Sequence, residues 1–174
     1  ARPEPEDDPL NGVVRLCSVK AVNPGNGALA GKTIGLKDTI SIAGIPMTCA
    51  SRLLWDYTPD GDATVVKRLI EADGHITHIL STDDFGFAGT GHTSGYGPAK
   101  NPVNPKHHPG GSSSGSAIGI AEGLVDLTLG GDQGGSIRIP AAWSGIVGLK
   151  PSHGLIPYTG IVGFDLSIDH IGPM

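Results

Sequence analysis

Residues 130–145 read GGDQGGSIRIPAAWSG. One serine, Ser136, follows two consecutive glycines and precedes a short apolar segment. Glycine permits tight turns and leaves peptide N–H groups uncovered by a side chain. Several N–H groups converging on one concavity form an anion-binding nest. A hydroxyl beside such a nest suits acyl transfer, with the serine as nucleophile and the nest as cradle for the oxyanion. On this window alone, a Gly-rich turn with an incidental serine is an equal reading.

A second window shifts the balance. Residues 108–117 read HPGGSSSGSA, placing Ser112, Ser113 and Ser114 behind another Gly-Gly pair. Between the windows, the small-residue stretch Ser116–Leu124 reads as a helix and the apolar stretch Val125–Leu129 as a strand. A helix followed by a strand brings two Gly-rich loops to the same edge of a sheet. Upstream, Lys37 stands inside a strand-like run, Thr33–Ile42. One lysine and two loop serines are the parts of a Ser-Ser-Lys proton relay.

The ordered set GLKDTISIAGIPMTCAS, GGSSSGSA and GGDQGGSIRIPAAWSGIVGLKPSHG resembles the amidase signature family, from about Gly31 to Met174. Within it, GGSSSGSA with GGDQGGSIRIP, and the tails SHGLIPYTGIVG and SIDHIGPM, look most like bacterial amidases associated with nitrile metabolism. The resemblance implies that Ser136 is the nucleophile, Ser112 the bridging serine and Lys37 the ultimate base. It implies an oxyanion hole shaped by the backbone N–H groups of Gln133, Gly134, Gly135 and Ser136. It also implies a cis peptide bond at Gly111–Ser112. Around these, Asp132 is expected to fix the turn by accepting backbone hydrogen bonds. Arg138 and Asp169 match charged positions of the family and are expected to pair beneath the site. Ser113 and Ser114 are expected to bond inside their loop. The family more often has glycine at Ser114. Gln133 replaces a common threonine or isoleucine and is expected at the pocket wall.

The implied reaction cleaves a small-molecule carboxamide to carboxylate and ammonia through an acyl-Ser136 intermediate, with no metal and no organic cofactor. Lysine is a base only when neutral, and burial away from a paired carboxylate lowers its pKa. Asp38, its neighbour, need not pair with it, because adjacent strand residues point to opposite faces.

Composition sets the frame. The 174 residues carry a net charge of −5, with scattered Lys and Arg, so no nucleic-acid footprint is present. Acidic residues crowd the start, Glu4 to Asp8, and residues 1–12 read as a flexible segment ahead of one domain, 13–174. Twenty-eight glycines and fourteen prolines sit in discrete loops between apolar runs. Cys17 and Cys49 give neither a disulfide framework nor metal-site spacing. Apolar runs stay below membrane-spanning length and no secretory leader pattern is present, so a cytoplasmic enzyme is expected.

Along the chain, Val13–Val22 reads as a short helix or strand and Lys32–Ile42 as a strand ending near Lys37. Asp62 is expected to cap a helix running through Ala72, with Val65, Val66, Leu69 and Ile70 on one face and Gly74 as its stop. His75–Leu80 reads as a strand, residues 94–111 as a long loop, Val125–Gly130 as a strand, and Ile137–Val147 as mixed helix and turn. The expected class is α/β: a mixed β-sheet with helices packed on both faces. The resemblance makes this the amidase signature fold, incomplete in a chain this short, with a homodimer or a missing C-terminal portion as the expected partner.

Other readings have weaker support. His107-His108 lacks a further ligand at metal spacing. His170 with Asp169 is the best candidate for a Ser-His-Asp alternative. A non-enzymatic phosphate nest would use the same Gly-Ser loops, but neither loop has the G-x-x-x-x-G-K-[ST] spacing. Within the amidase chemistry, the alternative is the amidase subunit of a glutamine-dependent tRNA amidotransferase, or an inactive fragment of either enzyme. Gln133 and the Ile139-Pro140 context lean away from the amidotransferase.

Overall fold

Two crossover connections running in opposite directions shape the molecule. The computed structural model describes residues 2–174. Its elements are β1 (Val13–Val19), β2 (Thr33–Lys37), α1 (Thr64–Glu71), β3 (His75–Leu80), α2 (Ser114–Ala121), β4 (Leu127–Asp132), α3 (Arg138–Ser144) and β5 (His170–Pro173). The strand order is β1-β3-β2-β4-β5. β2 is parallel to β3 and to β4, while β1 and β5 pair antiparallel at the two edges. The β2–α1–β3 connection steps one way along the sheet, and β3–α2–β4 steps back over β2. Right-handed crossovers in opposite directions put their helices on opposite faces. The mixed sheet covered on both faces is the expected architecture.

Side-chain alternation agrees. Ile34, Leu36, Ile76, Ile79 and Leu129 form the core with Val65 and Val66 of α1. On the other face, Thr128 Oγ1 donates to Ser116 O of α2 at 3.2 Å, and Lys37 points toward Ser112 ahead of α2. The small residues of α2 serve close packing there. A side-chain carbon on Gly115 would lie 2.3 Å from Gly12 O and from Ser81 N, so only glycine fits.

Strand assignments at β2 and β3 follow the expected runs, and Val13–Val19 is a strand. α2 starts and ends earlier than the small-residue stretch suggests, at Ser114 and Ala121. The N-terminal end of α1 differs from expectation, while the helix runs to a C-cap at Ala72 as expected. Ala63, not Asp62, is its N-cap, because Asp62 accepts from Ala43 N at 2.8 Å while Ala63 N donates to Ser41 O. The left-handed residue that ends α1 is Asp73 (φ 65°), its carboxylate accepting from Gly25 N and Gly27 N. Gly74 follows it, its N–H donating to Leu69 O at 2.9 Å to close the last turn, and it packs against Ile34. Ala1 lies outside the described residues. Within the segment expected to be flexible, Leu10 is buried and Asp8 accepts from Gly12 N and Val13 N.

The topology places chemistry at one edge. Lys37 ends β2, residues 81–86 follow β3, and Ser136 follows β4. In open sheets, ligands bind outside the carboxyl ends of strands where connections diverge to opposite faces. Gly115→Ala should lower the melting temperature by roughly 3–10 °C, the effect of overpacking a rigid contact. Gly61→Ala, which meets nothing within 4 Å, should leave it nearly unchanged. Thermal melts of both variants make the comparison.

Candidate functional site

Lys37 Nζ donates to Ser112 Oγ at 2.7 Å. Lys37 is 2 % exposed and Ser112 is fully buried, so the pair is sealed from water. Burial pushes the Lys37 pKa down to about 8, and the opposing pull of Asp83, Cys49 and Asp132 does not restore it. Asp38 lies on the opposite face of β2, bonded to Thr48 and Ala50. The Gly111–Ser112 peptide is cis, as the family pattern implies.

Ser112 is fixed from two sides. Its carbonyl accepts from Asp83 N at 3.3 Å. The hydroxyl of the following serine, Ser113, bonds both N–H and C=O of Gly131 at 3.2 Å, stitching the loop to β4 rather than bonding inside it. Ser114 Oγ is buried without a partner among the described residues.

Ser136 lies alongside. Its carbonyl accepts from Ser113 N at 3.2 Å, which fixes the two serine loops against each other. Among the described residues no hydrogen bond joins the Ser136 and Ser112 hydroxyls. Ser136 lines a pocket of about 360 Å³ with Gln133 and the apolar walls Phe87, Ile139, Phe164 and Ile168. Phe87 and Phe164 meet edge to face, ring centres 5.3 Å apart.

Asp132 organises the loop before Ser136. It accepts from Gly135 N at 2.8 Å and Ile137 N at 3.2 Å, and from Arg138 Nε and Nη2, each at 2.9 Å. Two expectations change here. Arg138 pairs with Asp132 at the end of β4 instead of with Asp169. Asp169 turns the other way and accepts from Phe164 N and Asp165 N. The Gly135 N–H is occupied by Asp132, so it is not free for an oxyanion. The N–H groups of Gln133, Gly134 and Ser136 make no hydrogen bond among the described residues. Gln133 is at the pocket wall as expected, with Nε2 donating to Tyr158 Oη at 2.9 Å.

His170 does not serve Ser136. Its Nδ1 bonds Ile168 O and its Nε2 bonds Lys150 Nζ. Sequence reasoning misses Asp83 and Gly86. Asp83 is fully buried and accepts from Gly91 N, Thr93 N and Thr93 Oγ1. Gly86 has φ 72°, and a methyl placed on it would lie 3.5 Å from both Lys37 Nζ and Ser112 Oγ. The run Asp83-Asp84-Phe85-Gly86 after a strand is the signal that could have found them.

The Asp132 carboxyl has a pH consequence. Burial alone would raise it, but the Arg138 side chain and the Ile137 and Arg138 amides outweigh that and hold it below the usual carboxylate range. A depressed folded-state pKa contributes stability above the ordinary carboxylate range and loses it as pH falls through the lower value. Asp132→Asn should therefore melt well below the wild type at pH 6, with the gap closing below about pH 4. Thermal melts across that range check it; a gap independent of pH would contradict it.

A family model described as Amidase matches residues 18–174, and the chain belongs to that family. A glutamyl-tRNA(Gln) amidotransferase subunit of Halobacterium salinarum is 49 % identical over 149 residues, covering 86 % of this chain and 35 % of the relative. The subunit of the same name from Exiguobacterium sibiricum is 49 % identical over 146 residues, 84 % of this chain and 30 % of its own. The crystal structure of the corresponding glutamyl-tRNA(Gln) amidotransferase subunit from Thermotoga maritima matches with a TM-score of 0.88 and 37 % identity, covering 96 % of this chain and 37 % of that one. The peptide amidase PAM, solved with the competitive inhibitor chymostatin, matches with a TM-score of 0.85 and 32 % identity over 95 % of this chain and 37 % of its own. The chain spans about a third of the length of these relatives.

Proposed function

We propose that this member of the amidase family carries the acyl-transfer centre of a serine amidohydrolase, cleaving a carboxamide to carboxylate and ammonia. The observation that carries the reading is the sealed Lys37–Ser112 hydrogen bond, 2.7 Å long, beside Ser136. The Ser136 hydroxyl attacks the amide carbon, and its proton passes to Ser112 as Ser112 gives its own to neutral Lys37. A hydroxyl does both because it donates and accepts at once. The relay requires the Ser136 side chain to rotate onto Ser112, the tightening that substrate-free sites commonly await. The oxyanion is held by the free N–H groups of Gln133, Gly134 and Ser136. The tetrahedral intermediate then expels ammonia, protonated by the reversed relay. Water attacks the acyl-Ser136 ester, releasing the carboxylate and restoring the serine.

The pocket walls Phe87, Ile139, Phe164 and Ile168 favour an apolar acyl group. A second reading rests on a different observation, the 49 % identity to a protein named for a tRNA amidotransferase. On that reading the amide is glutamine, and the ammonia passes to a partner protein. Hydrolysis of apolar carboxamides by the chain alone supports the first reading; ammonia release from glutamine only with added partner proteins supports the second. A homodimer or the rest of a longer polypeptide would complete the enzyme in either case.

The relay is tested with a fluorophosphonate probe, read by intact mass. The wild type should gain one adduct and Ser136→Ala none. Lys37→Ala should react at least about 10²-fold more slowly, the usual worth of a positioned base. With Lys37 titrating near 8, its neutral fraction is about one-tenth at pH 7 and nine-tenths at pH 9, so labelling should rise about tenfold between them. A folded wild type that takes no adduct refutes the proposal.

A further inference from the structure

Asp38 is fully buried, carries a carboxylate, and has no part in the relay. It leaves β2 on the face opposite Lys37 and closes on the segment 48–50. Thr48 Oγ1 donates to its carboxylate, as do Thr48 N at 3.3 Å and Ala50 N at 3.2 Å. Its backbone carbonyl accepts from Cys49 N at 3.0 Å. These bonds surround two consecutive left-handed residues, Cys49 (φ 51°) and Ala50 (φ 52°). Side chains other than glycine keep that conformation only where the surroundings impose it.

The imposed turn has a second contact. Cys49 O accepts from Phe85 N at 2.9 Å. Phe85 is itself left-handed (φ 48°), and the next residue is Gly86, whose N–H bonds Asp83 O at 2.7 Å. Gly86 main chain lies over the Lys37 ammonium and the Ser112 hydroxyl. A continuous path of hydrogen bonds therefore runs from Asp38, through the 48–50 turn, to the backbone that covers the buried lysine.

We propose that Asp38 is a positioning residue: its carboxylate clasps the 48–50 turn, which in turn holds Gly86 closed over Lys37 and Ser112. The clasp sets the water access of Lys37, and its catalytic consequence rests on the amidohydrolase reading above.

The charges around both ends are consistent with this. Asp83, Cys49 and Asp132 face Lys37, and all three oppose the lowering of its pKa; exclusion of water is what lowers it. Burial raises the Asp38 carboxyl to about 6, against the Thr48 and Ala50 hydrogen bonds and the Arg15 charge, which favour ionisation. Tyr96 and Cys49 lie close enough to feel that charge. The clasp is thus ionised, and accepts all its bonds, across the range in which Lys37 gives up its proton.

The sign of one shift is diagnostic. Removing a negative charge near a lysine lowers the lysine pKa, whereas admitting water raises it. The full chain is labelled with ε-13C-lysine, and Lys37 is assigned by Lys37→Arg. Its pKa is then read by NMR in the wild type, Asp38→Asn and Thr48→Val. The expected result is a rise of about one unit in Asp38→Asn, with a smaller rise in Thr48→Val, which removes the hydroxyl that donates to Asp38 and accepts from Ala50 N. Amide hydrogen exchange at Gly86 should accelerate in parallel. An unchanged or lowered Lys37 pKa in Asp38→Asn overturns the proposal. If Asp38→Asn does not fold, Thr48→Val decides alone: a rise supports the clasp and no rise overturns it. The NMR readout needs no turnover. A wild type inert to fluorophosphonate would remove the amidohydrolase reading while leaving the clasp to be judged on the lysine titration.

Discussion

A lysine ammonium sealed from water against one serine hydroxyl is the contact around which this molecule is arranged. For Lys37 to serve as the base of the proposed relay it must be neutral, and burial is what lowers its pKa. That demand explains features distant from any reacting atom. The strand that carries Lys37 must lie between two others, β3 and β4, so that no side of it is wet. The serine it meets must come from a loop that reaches into the sheet edge, which a bulky loop could not do. Gly86 lies beside the pair, in a left-handed conformation that favours glycine.

Three buried carboxylates surround this centre, and each is handled differently. Asp132 is neutralised by an arginine and backbone amides, so it stays ionised and shapes the loop before Ser136. Asp83 is held by the Gly91 and Thr93 amides and the Thr93 hydroxyl, and its main chain supports Ser112. Asp38 has hydrogen bonds without a cation in contact among the described residues, and burial raises its pKa. None of the three forms an ion pair with Lys37. A direct carboxylate contact would stabilise the charged lysine and deplete the neutral form that accepts a proton. Keeping the negative charges one layer away, bound to amides, lets them build the scaffold without disabling the base.

Much of this is readable in the sequence where local chemistry decides the structure. The run Thr33–Lys37 has a strand's apolar pattern, and His75–Leu80 likewise. The Gly-Gly-Ser windows signal loops of exposed amides, and alternation separates Asp38 from Lys37. What escapes depends on contacts between distant segments. Asp62 and Ala63 compete for the start of α1, and the choice is made by Ala43 and Ser41, some twenty residues earlier. Arg138 has two acidic candidates, and the nearer one at the end of β4 captures it. The run Asp83-Asp84-Phe85-Gly86 after β3 marks a turn, but only the fold brings the Asp83 amide to Ser112. Left-handed Cys49, Ala50 and Phe85 are invisible in sequence because none is glycine, asparagine or aspartate, the residues that usually signal that conformation.

The residues of the proposed relay occupy positions 37–136, inside a stretch that spans about a third of its relatives. Those relatives include one protein named for a tRNA amidotransferase and one named as a peptide amidase, at TM-scores of 0.88 and 0.85. One backbone arrangement therefore underlies proteins of different names. On the proposed reading, Ser136 and the free amides meet only the atoms common to every amide, and Lys37 acts through Ser112, so this centre is indifferent to what is attached to the carbonyl. Selectivity must come from side chains that meet the rest of the substrate. In this chain the pocket walls beside Ser136 include Gln133, held by Tyr158, and the Phe87–Phe164 pair, and the proposed reading gives selectivity to them. On the proposed amidohydrolase reading, fold and relay define the reaction and the walls define the substrate, so that one can change without the other.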